Sequence, residues 1–473
     1  MEQDKGTVYL PVQPPGTELA MPLSWRFGLG AAVLALGGAA YLLHLQNWIG
    51  PRGQAAAGVL CFLGLVATFS ANLRAVNWRT IAWGFALQVL LALFVIKGPG
   101  FVIFDAIGVV VKKFLEFTSA GSQFVFGVLA NPAEMNKAFP DRGFVFAFSG
   151  LPTVIFVASF FTVLYYFGVL QFIVRLLAKV MMYLLQTSGA ETLSVTANIF
   201  MGQTEAPLII KPYIPRMTQS ELLTLMVGGM AHVSGGIMAV YIGLGADPVA
   251  ILATSVMASP CTLYLTKLFL PETQVPETRG GAEAVVEQQH INVIDAAASG
   301  ASEGMRLALN IAAMLIAFLA FIAAFDYLLG LTPRLNPYLS WLLGREVMVP
   351  PLSLQWLFSF IFSPVAFLMG VDLKDVPAVA DLLGTKLVAN EFVAYANLGD
   401  HYRKVLSPRS LKLATYALTG FANFSSIGIQ LGGIGGMAPE RRPDIARLGG
   451  RALLTGFVVT LVNASIAGMF LEE

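Results

Sequence analysis

Runs of about 20 apolar residues recur along the chain, and that is the length a helix needs to cross the hydrocarbon of a bilayer. They predict spans near 26–46, 55–73, 80–97, 145–170, 218–245, 248–270, 302–330, 411–437 and 452–471. Lipid offers no partner to an open backbone N–H or C=O, so such runs must be helical. The fold class is an all-α polytopic membrane protein. Composition agrees: 56% of the 473 residues are hydrophobic, 12% are charged and the mean hydropathy is +0.72. Soluble domains carry about 25% charged residues.

Charge and cysteine content exclude other classes. Twenty-nine Lys and Arg against 28 Asp and Glu give a net +1. That excludes a nucleic-acid partner held by bulk positive charge and an acidic disordered chain. Cys61 and Cys261 both sit in apolar runs, so no disulfide framework or zinc-spaced set is present. The first run is longer than a secretory signal core and lacks a small-residue cleavage site, so it reads as a helix.

Loop charges orient the spans. Arg74 and Arg79, then Arg175 and Lys179, then Arg441, Arg442, Arg447 and Arg451 mark cytoplasmic loops by the positive-inside rule. The N-terminus is then cytoplasmic, and Glu472 and Glu473 lie outside. Residues 271–300, with Pro276, Gly280 and Gly281, read as a mobile cytoplasmic linker. Two stretches, 171–187 with Arg175 and Lys179, and 101–117 with Asp105, Lys112, Lys113 and Glu116, read as amphipathic interfacial helices.

An internal repeat carries acids. Residues 190–213 are apolar but interrupted by Asn198 and by Gly202-Gln203-Thr204-Glu205-Ala206-Pro207. Residues 353–398 are interrupted by Pro364 and Gly370, then by Asn390-Glu391. Each reads as a re-entrant hairpin. Each is followed by a span broken at a polar, Gly-flanked cluster, Gly228–Gly236 and Gly420–Gly428, and then by a plain span. The first hairpin starts inside and the second outside, so the repeats are inverted. Inverted repeats with discontinuous helices point to a secondary transporter whose site lies at the breaks. A carboxylate at that depth is costly, so Glu205 and Glu391 should face a polar site rather than merely pair between helices.

The domains expected are a tail at 1–25, N-terminal transmembrane and interfacial helices on the scaffold side at 26–189, and a first repeat at 190–270. The linker at 271–300, a scaffold helix at 301–349 and the second, inverted repeat at 350–473 complete the chain.

At these residues the sequence resembles the concentrative nucleoside transporter family. ANIFMGQTEAPLIIKPYIPRMTQSEL (197–222), NVIDAAASGASEGMRLALN (292–310), KLVANEFVAY (386–395) and GFANFSSIGI (420–429) carry the resemblance, which covers most of the chain from about residue 55. It implies a homotrimer in which a transport domain moves against a scaffold, and a nucleoside such as uridine or adenosine bound between the hairpin tips and the broken helices. It implies that the base meets Gln203, Thr204, Ile237 and Phe421, and the ribose Glu391, Asn423 and Ser426. Glu205 would join the polar network. The chemistry is compatible: a carboxylate can accept from vicinal hydroxyls, and one amide can match a base edge. Purine and pyrimidine are not distinguished.

The resemblance also implies a coupling ion at Asn198, Met201, His232 and Val233. Hard cations take oxygen ligands, and the sodium-coupled pattern has a hydroxyl where this chain has His232. Sodium coupling, proton coupling through a titrating His232 or glutamate, and a neutral His232 merely hydrogen-bonded at the break all remain open. No other cofactor is implied.

Other classes fit less well. The four histidines, 44, 232, 290 and 401, form no HExxH and suggest no Ser–His pair, so an intramembrane enzyme is not expected. A channel needs a continuous pore rather than acids at hairpin tips. An inverted-repeat carrier for another neutral polar solute, a nucleobase or an amino acid, is the alternative. A bacterial inner membrane suits the modest length. Gly432–Gly436 follows a span rather than a strand, so it is not a phosphate loop.

Overall fold

The computed structural model describes residues 21–139, 145–282, 290–336, 338, 340, 348 and 350–472. Most of the expected tail, the middle of the expected linker and Glu473 lie outside the described residues. Every regular element among those residues is helical. The N-terminal part comprises α1 (Leu23–Leu45), α2 (Pro51–Thr68), α3 (Trp78–Ile96), α4 (Gly100–Phe126), the short α5 (Pro132–Ala138) and α6 (Phe146–Ser149), α7 (Leu151–Tyr166) and α8 (Val169–Leu185).

A first hairpin follows, made of α9 (Gly189–Ala197) and the tight-turned segment Ala206–Arg216. Next come the broken helix α10 (Gln219–Ala231) and α11 (Gly235–Gly243), then α12 (Pro248–Phe269) and the long α13 (Val293–Leu329). Beyond them lie α14 (Leu354–Leu368), α15 (Val376–Val388), α16 (Glu391–Asn397), the broken pair α17 (Pro408–Leu418) and α18 (Phe424–Met437), and α19 (Arg442–Phe470). Among the described residues seven helical runs are long and apolar enough to cross a membrane. Two expected spans fall outside that set. In α2 the first turn, Pro51-Arg52-Gly53-Gln54, dilutes the apolar run, and 411–437 is split by its break.

Capping sets the repeat boundaries. Ser188 and Glu191 form a reciprocal capping box at the start of α9, and Thr218 and Glu221 form another at α10. Both boxes satisfy N–H groups that a helix end leaves open. The two hairpins enter from opposite ends of α19, whose 29 residues span roughly 40 Å. At its start Arg441 donates to the carbonyls of Ile214, Pro215 and Met217, at the foot of the first hairpin. Near its end Arg409 donates to Gly468 O and to Gly370 O, just ahead of α15. The Arg441 foot is reinforced by a buried network in which Lys267 lies 2.8 Å from Glu191 and 2.9 Å from Ser220 Oγ.

Three sequence expectations need correcting. The second hairpin is not the whole of 353–398: α14 and α15 pack side by side, and the turn bearing Glu391 joins α15 to α16. The linker is not free along its described length. Thr278 O accepts from Gly189 N–H, its hydroxyl accepts from Ala190 N–H, and α13 already begins at Val293. The amphipathic stretch 101–117 is the first part of α4, which continues to Phe126.

Burial separates two populations. The apolar runs of α10–α11, α12 and α19 are 83% buried, whereas those of α1 and α13 are 6% and 11% buried. Among the described residues α10–α12 and α19 form the interior. The outer helices turn apolar side chains outward, as lipid-facing or protomer-facing helices do.

Candidate substrate and ion sites

The two breaks cross. Residues 232–234 between α10 and α11, and 419–423 between α17 and α18, run against each other, with Phe421 N–H donating to His232 O at 3.2 Å. Gly420 permits the approach. Its φ is +130°, and a Cβ there would sit 2.9 Å from Ala231 O, so both conformation and space call for glycine.

Beside this crossing lies a cavity of about 170 Å³. All eight residues expected to touch substrate border it: Gln203, Thr204 and Glu205 from the first tip, Ile237 from α11, Glu391 from the second tip, and Phe421, Asn423 and Ser426 from the second break. Glu391 is held from both repeats. Tyr241 Oη donates to its Oε1 at 2.8 Å and Asn423 Nδ2 to its Oε2 at 2.7 Å. A carboxylate has about four lone-pair sites, so capacity remains for hydroxyl donors. Asn423 is itself oriented by capping α18, accepting from Ser426 N–H at 3.0 Å.

Glu205 accepts from Gly202 N–H at 3.0 Å, which closes the first tip on itself. Gln203 donates to Ser426 Oγ, and its own oxygen accepts from Gln430, each at 3.3 Å. The opposite wall comes from α13. Leu307, Ile311, Met314 and Leu315 border the cavity, recurring at the spacing of one helical face. A second cavity of about 220 Å³, between α4, α7 and α11, contains none of the expected site residues.

The residues expected around an ion are also brought together. Asn198 caps α9 against Gly228, where a Cβ would meet its Nδ2 at 3.3 Å. Met201 follows in the tip, and His232 and Val233 form the first break. Asn198 Oδ1 is buried with no hydrogen-bond donor among the described residues, and an amide oxygen is a ligand type that hard cations take. The His232 ring is already engaged, with Nδ1 2.8 Å from Gly228 O and Nε2 3.0 Å from Ser259 Oγ. A carbonyl only accepts, so Nδ1 carries a proton, while Nε2 faces the Ser259 hydroxyl, which also lies 3.5 Å from Val195 O. A neutral imidazole satisfies both contacts.

Two facing tips, two crossed breaks and a cavity between them define the inverted-repeat class of membrane carriers. Comparison with known proteins narrows the class. The chain matches family models described as Na+ dependent nucleoside transporter N-terminus over 57–129, Nucleoside recognition over 147–248 and Na+ dependent nucleoside transporter C-terminus over 250–468. It is 44% identical over 431 residues to the mouse sodium/nucleoside cotransporter 1, covering 87% of this chain and 63% of the relative. The human protein of that description is 42% identical over 466 residues, 94% and 68% covered. An uncharacterised transporter of Haemophilus influenzae is 40% identical over 420 residues, 88% and 96% covered.

The structure of CNTnw in an inward-facing substrate-bound state superposes with a TM-score of 0.81 at 37% identity, covering 88% of this chain and 98% of that one. A CNTnw variant in an outward-facing state gives 0.80 at 37%, with 89% and 97% covered. The chain belongs to the concentrative nucleoside transporter family, a family of transporters rather than enzymes. It spans 63% of the length of the mouse and rat relatives.

Several cavity features escaped the sequence reading. Tyr241 carried no signal among 13 tyrosines, and Gln430, which also donates to Met226 O at 2.9 Å, sits in an ordinary apolar run. The α13 wall reads as plain transmembrane sequence.

Proposed function

We propose that this protein is a secondary active transporter that imports nucleosides, driven by sodium. The observation that carries the reading is the cavity itself. Eight residues of two inverted repeats converge there, with a carboxylate braced from both repeats on one side and an apolar helix face on the other. Glu391 and Asn423 anchor the ribose hydroxyls with Ser426. Gln203 and Thr204 read the base edge, Ile237 and Phe421 pack on its face, and Glu205 completes the polar lining. Relatives described as sodium/nucleoside cotransporters, and a solved relative in a substrate-bound state, support the same reading.

Sodium sits between Asn198 Oδ1 and the main-chain carbonyls of Met201 and Val233, with His232 contributing structure through its ring. The two repeats move as the transport domain against α1–α8 and α13, within a homotrimer. The N-terminus is cytoplasmic, in a bacterial inner membrane. Arg26 donating to Ser70 O, at the foot that Lys267 and Arg441 also occupy, supports that orientation.

The test is uptake of labelled uridine and adenosine into proteoliposomes under an inward sodium gradient, an inward proton gradient or neither. Saturable, concentrative uptake with sodium is expected. Uptake driven by protons alone would overturn the sodium assignment, and no saturable uptake by folded protein would overturn the nucleoside assignment.

A further inference from the structure

Lys386 is fully buried on α15, five residues before Glu391, and the function above does not use it. No carboxylate lies within ion-pair distance of it among the described residues. Its Nζ instead donates to Ala417 O at 2.7 Å and to Thr460 Oγ1 at 3.1 Å, and lies 5.5 Å from the centre of the Phe457 ring. The Thr460 hydroxyl spends its own proton on Phe457 O at 2.8 Å, so it presents a lone pair to Lys386. Carbonyl, hydroxyl and π-face together match the three N–H bonds of an ammonium. The surroundings are those of a cation site.

The internal symmetry says which site. Asn198 caps the end of the first hairpin's first arm, against the last turn of α10. Lys386 lies two residues inside the end of the second hairpin's first arm, and its ammonium meets the last turn of α17. The flanking plain helix brings a hydroxyl to each neighbourhood, to the His232 ring that shares Gly228 with Asn198 in the first and to Lys386 itself in the second. Ser259 reaches the first break from α12, and Thr460 reaches Lys386 from α19, each ten residues before its helix ends. The first repeat leaves Asn198 Oδ1 without a donor there among the described residues. The second places the Lys386 ammonium against a carbonyl, a hydroxyl and a ring.

We infer that the second repeat retains the counterpart of the first repeat's cation site and fills it with a tethered ammonium, that of Lys386. The first break then closes around a cation drawn from solution, and the second is closed permanently by one belonging to the chain. This inference deepens, and rests on, the ion-coupled reading. Lys386 is a positioning residue. Its hydrogen bonds hold the end of α17 and α19 together.

The experiment is sodium-dependent nucleoside uptake by the full chain and by Lys386→Met and Lys386→Ala, with folding checked by gel filtration and thermal unfolding. Lys386→Met keeps the volume and removes the charge. Its uptake is expected to fall roughly tenfold or more at every sodium concentration, the effect of losing charged hydrogen bonds. Lys386→Ala vacates the space. Its uptake should be low in dilute sodium and recover in concentrated sodium or with added methylammonium, its Hill coefficient for sodium rising from about 1 toward about 2.

Wild-type uptake by Lys386→Met overturns the inference, as does a folded Lys386→Ala that neither cation restores. If Lys386→Ala does not fold, Lys386→Met decides. If the unmodified protein ignores sodium, the coupling reading fails and this inference with it. Failure confined to the Lys386 variants leaves that reading intact.

Discussion

The two inverted repeats share a plan and differ in how each is closed. In the first, the tip carboxylate of Glu205 turns back to its own backbone at Gly202, and the break is finished by an imidazole caught between Gly228 and Ser259. In the second, the tip carboxylate of Glu391 is gripped by side chains from both repeats, and the buried polar position behind it holds an ammonium. The first half leaves the Asn198 amide oxygen without a donor among the described residues. The second braces its tip carboxylate from both repeats. The difference teaches that matching backbones can close their breaks with different chemistry, an imidazole in one half and an ammonium in the other.

That contrast can be broken. The largest effect is expected at Glu391→Gln, which keeps shape and loses charge. Charged hydrogen bonds are worth about 1.5–3 kcal/mol each, so nucleoside affinity measured by calorimetry should fall at least tenfold in folded protein. An unchanged affinity would return the ribose anchor to the first repeat. Tyr241→Phe removes one brace and should cost less, about 1 kcal/mol or roughly fivefold.

Asn198→Leu attacks the other half. It should raise the sodium concentration needed for half-maximal uptake, with Glu391 and its braces untouched. An unchanged sodium response would separate the unpartnered oxygen from coupling. Gly420→Ala tests the crossing between the halves. A non-glycine at that φ, pressed on Ala231 O, should lose about 1–3 kcal/mol of stability in thermal unfolding, whereas a Cβ at Gly236 meets only Val157 at an ordinary 4.0 Å, so Gly236→Ala should be near neutral. Ser259→Ala strips one partner from His232 and should cost about 1 kcal/mol, with sodium-driven uptake retained. The smallest effect belongs to Lys97→Ala. The Lys97–Glu472 pair is exposed, so no measurable change in melting temperature is expected.

The repeat plan was legible because its marks are local: Gly-flanked polar clusters where helices must break, and acids where lipid would forbid them. Gln203, Thr204, Glu205, Glu391, Asn423 and Ser426 stand in such clusters, and the fold gathers them around one cavity. What stayed hidden has no local mark. Lys386 follows Thr385 on an amphipathic-looking turn, and its partners Ala417 and Thr460 are 31 and 74 residues away. Lys267 likewise reads as a helix-end charge until Glu191 closes on it from the first hairpin. The docking of Thr278 on Gly189 could not be read from composition, which described that stretch as loose. The true extent of the second hairpin was obscured because α14 is as apolar as a hairpin arm.

The bond from Phe421 N–H to His232 O joins the halves through main-chain atoms alone. Truncating Phe421 or His232 to alanine would leave it in place, since no side-chain truncation deletes either partner. The residue type that removes this donor is proline. A map of sensitive positions built from side-chain truncation would therefore register the Tyr241–Glu391 and Gln203–Ser426 links between the repeats and miss this one.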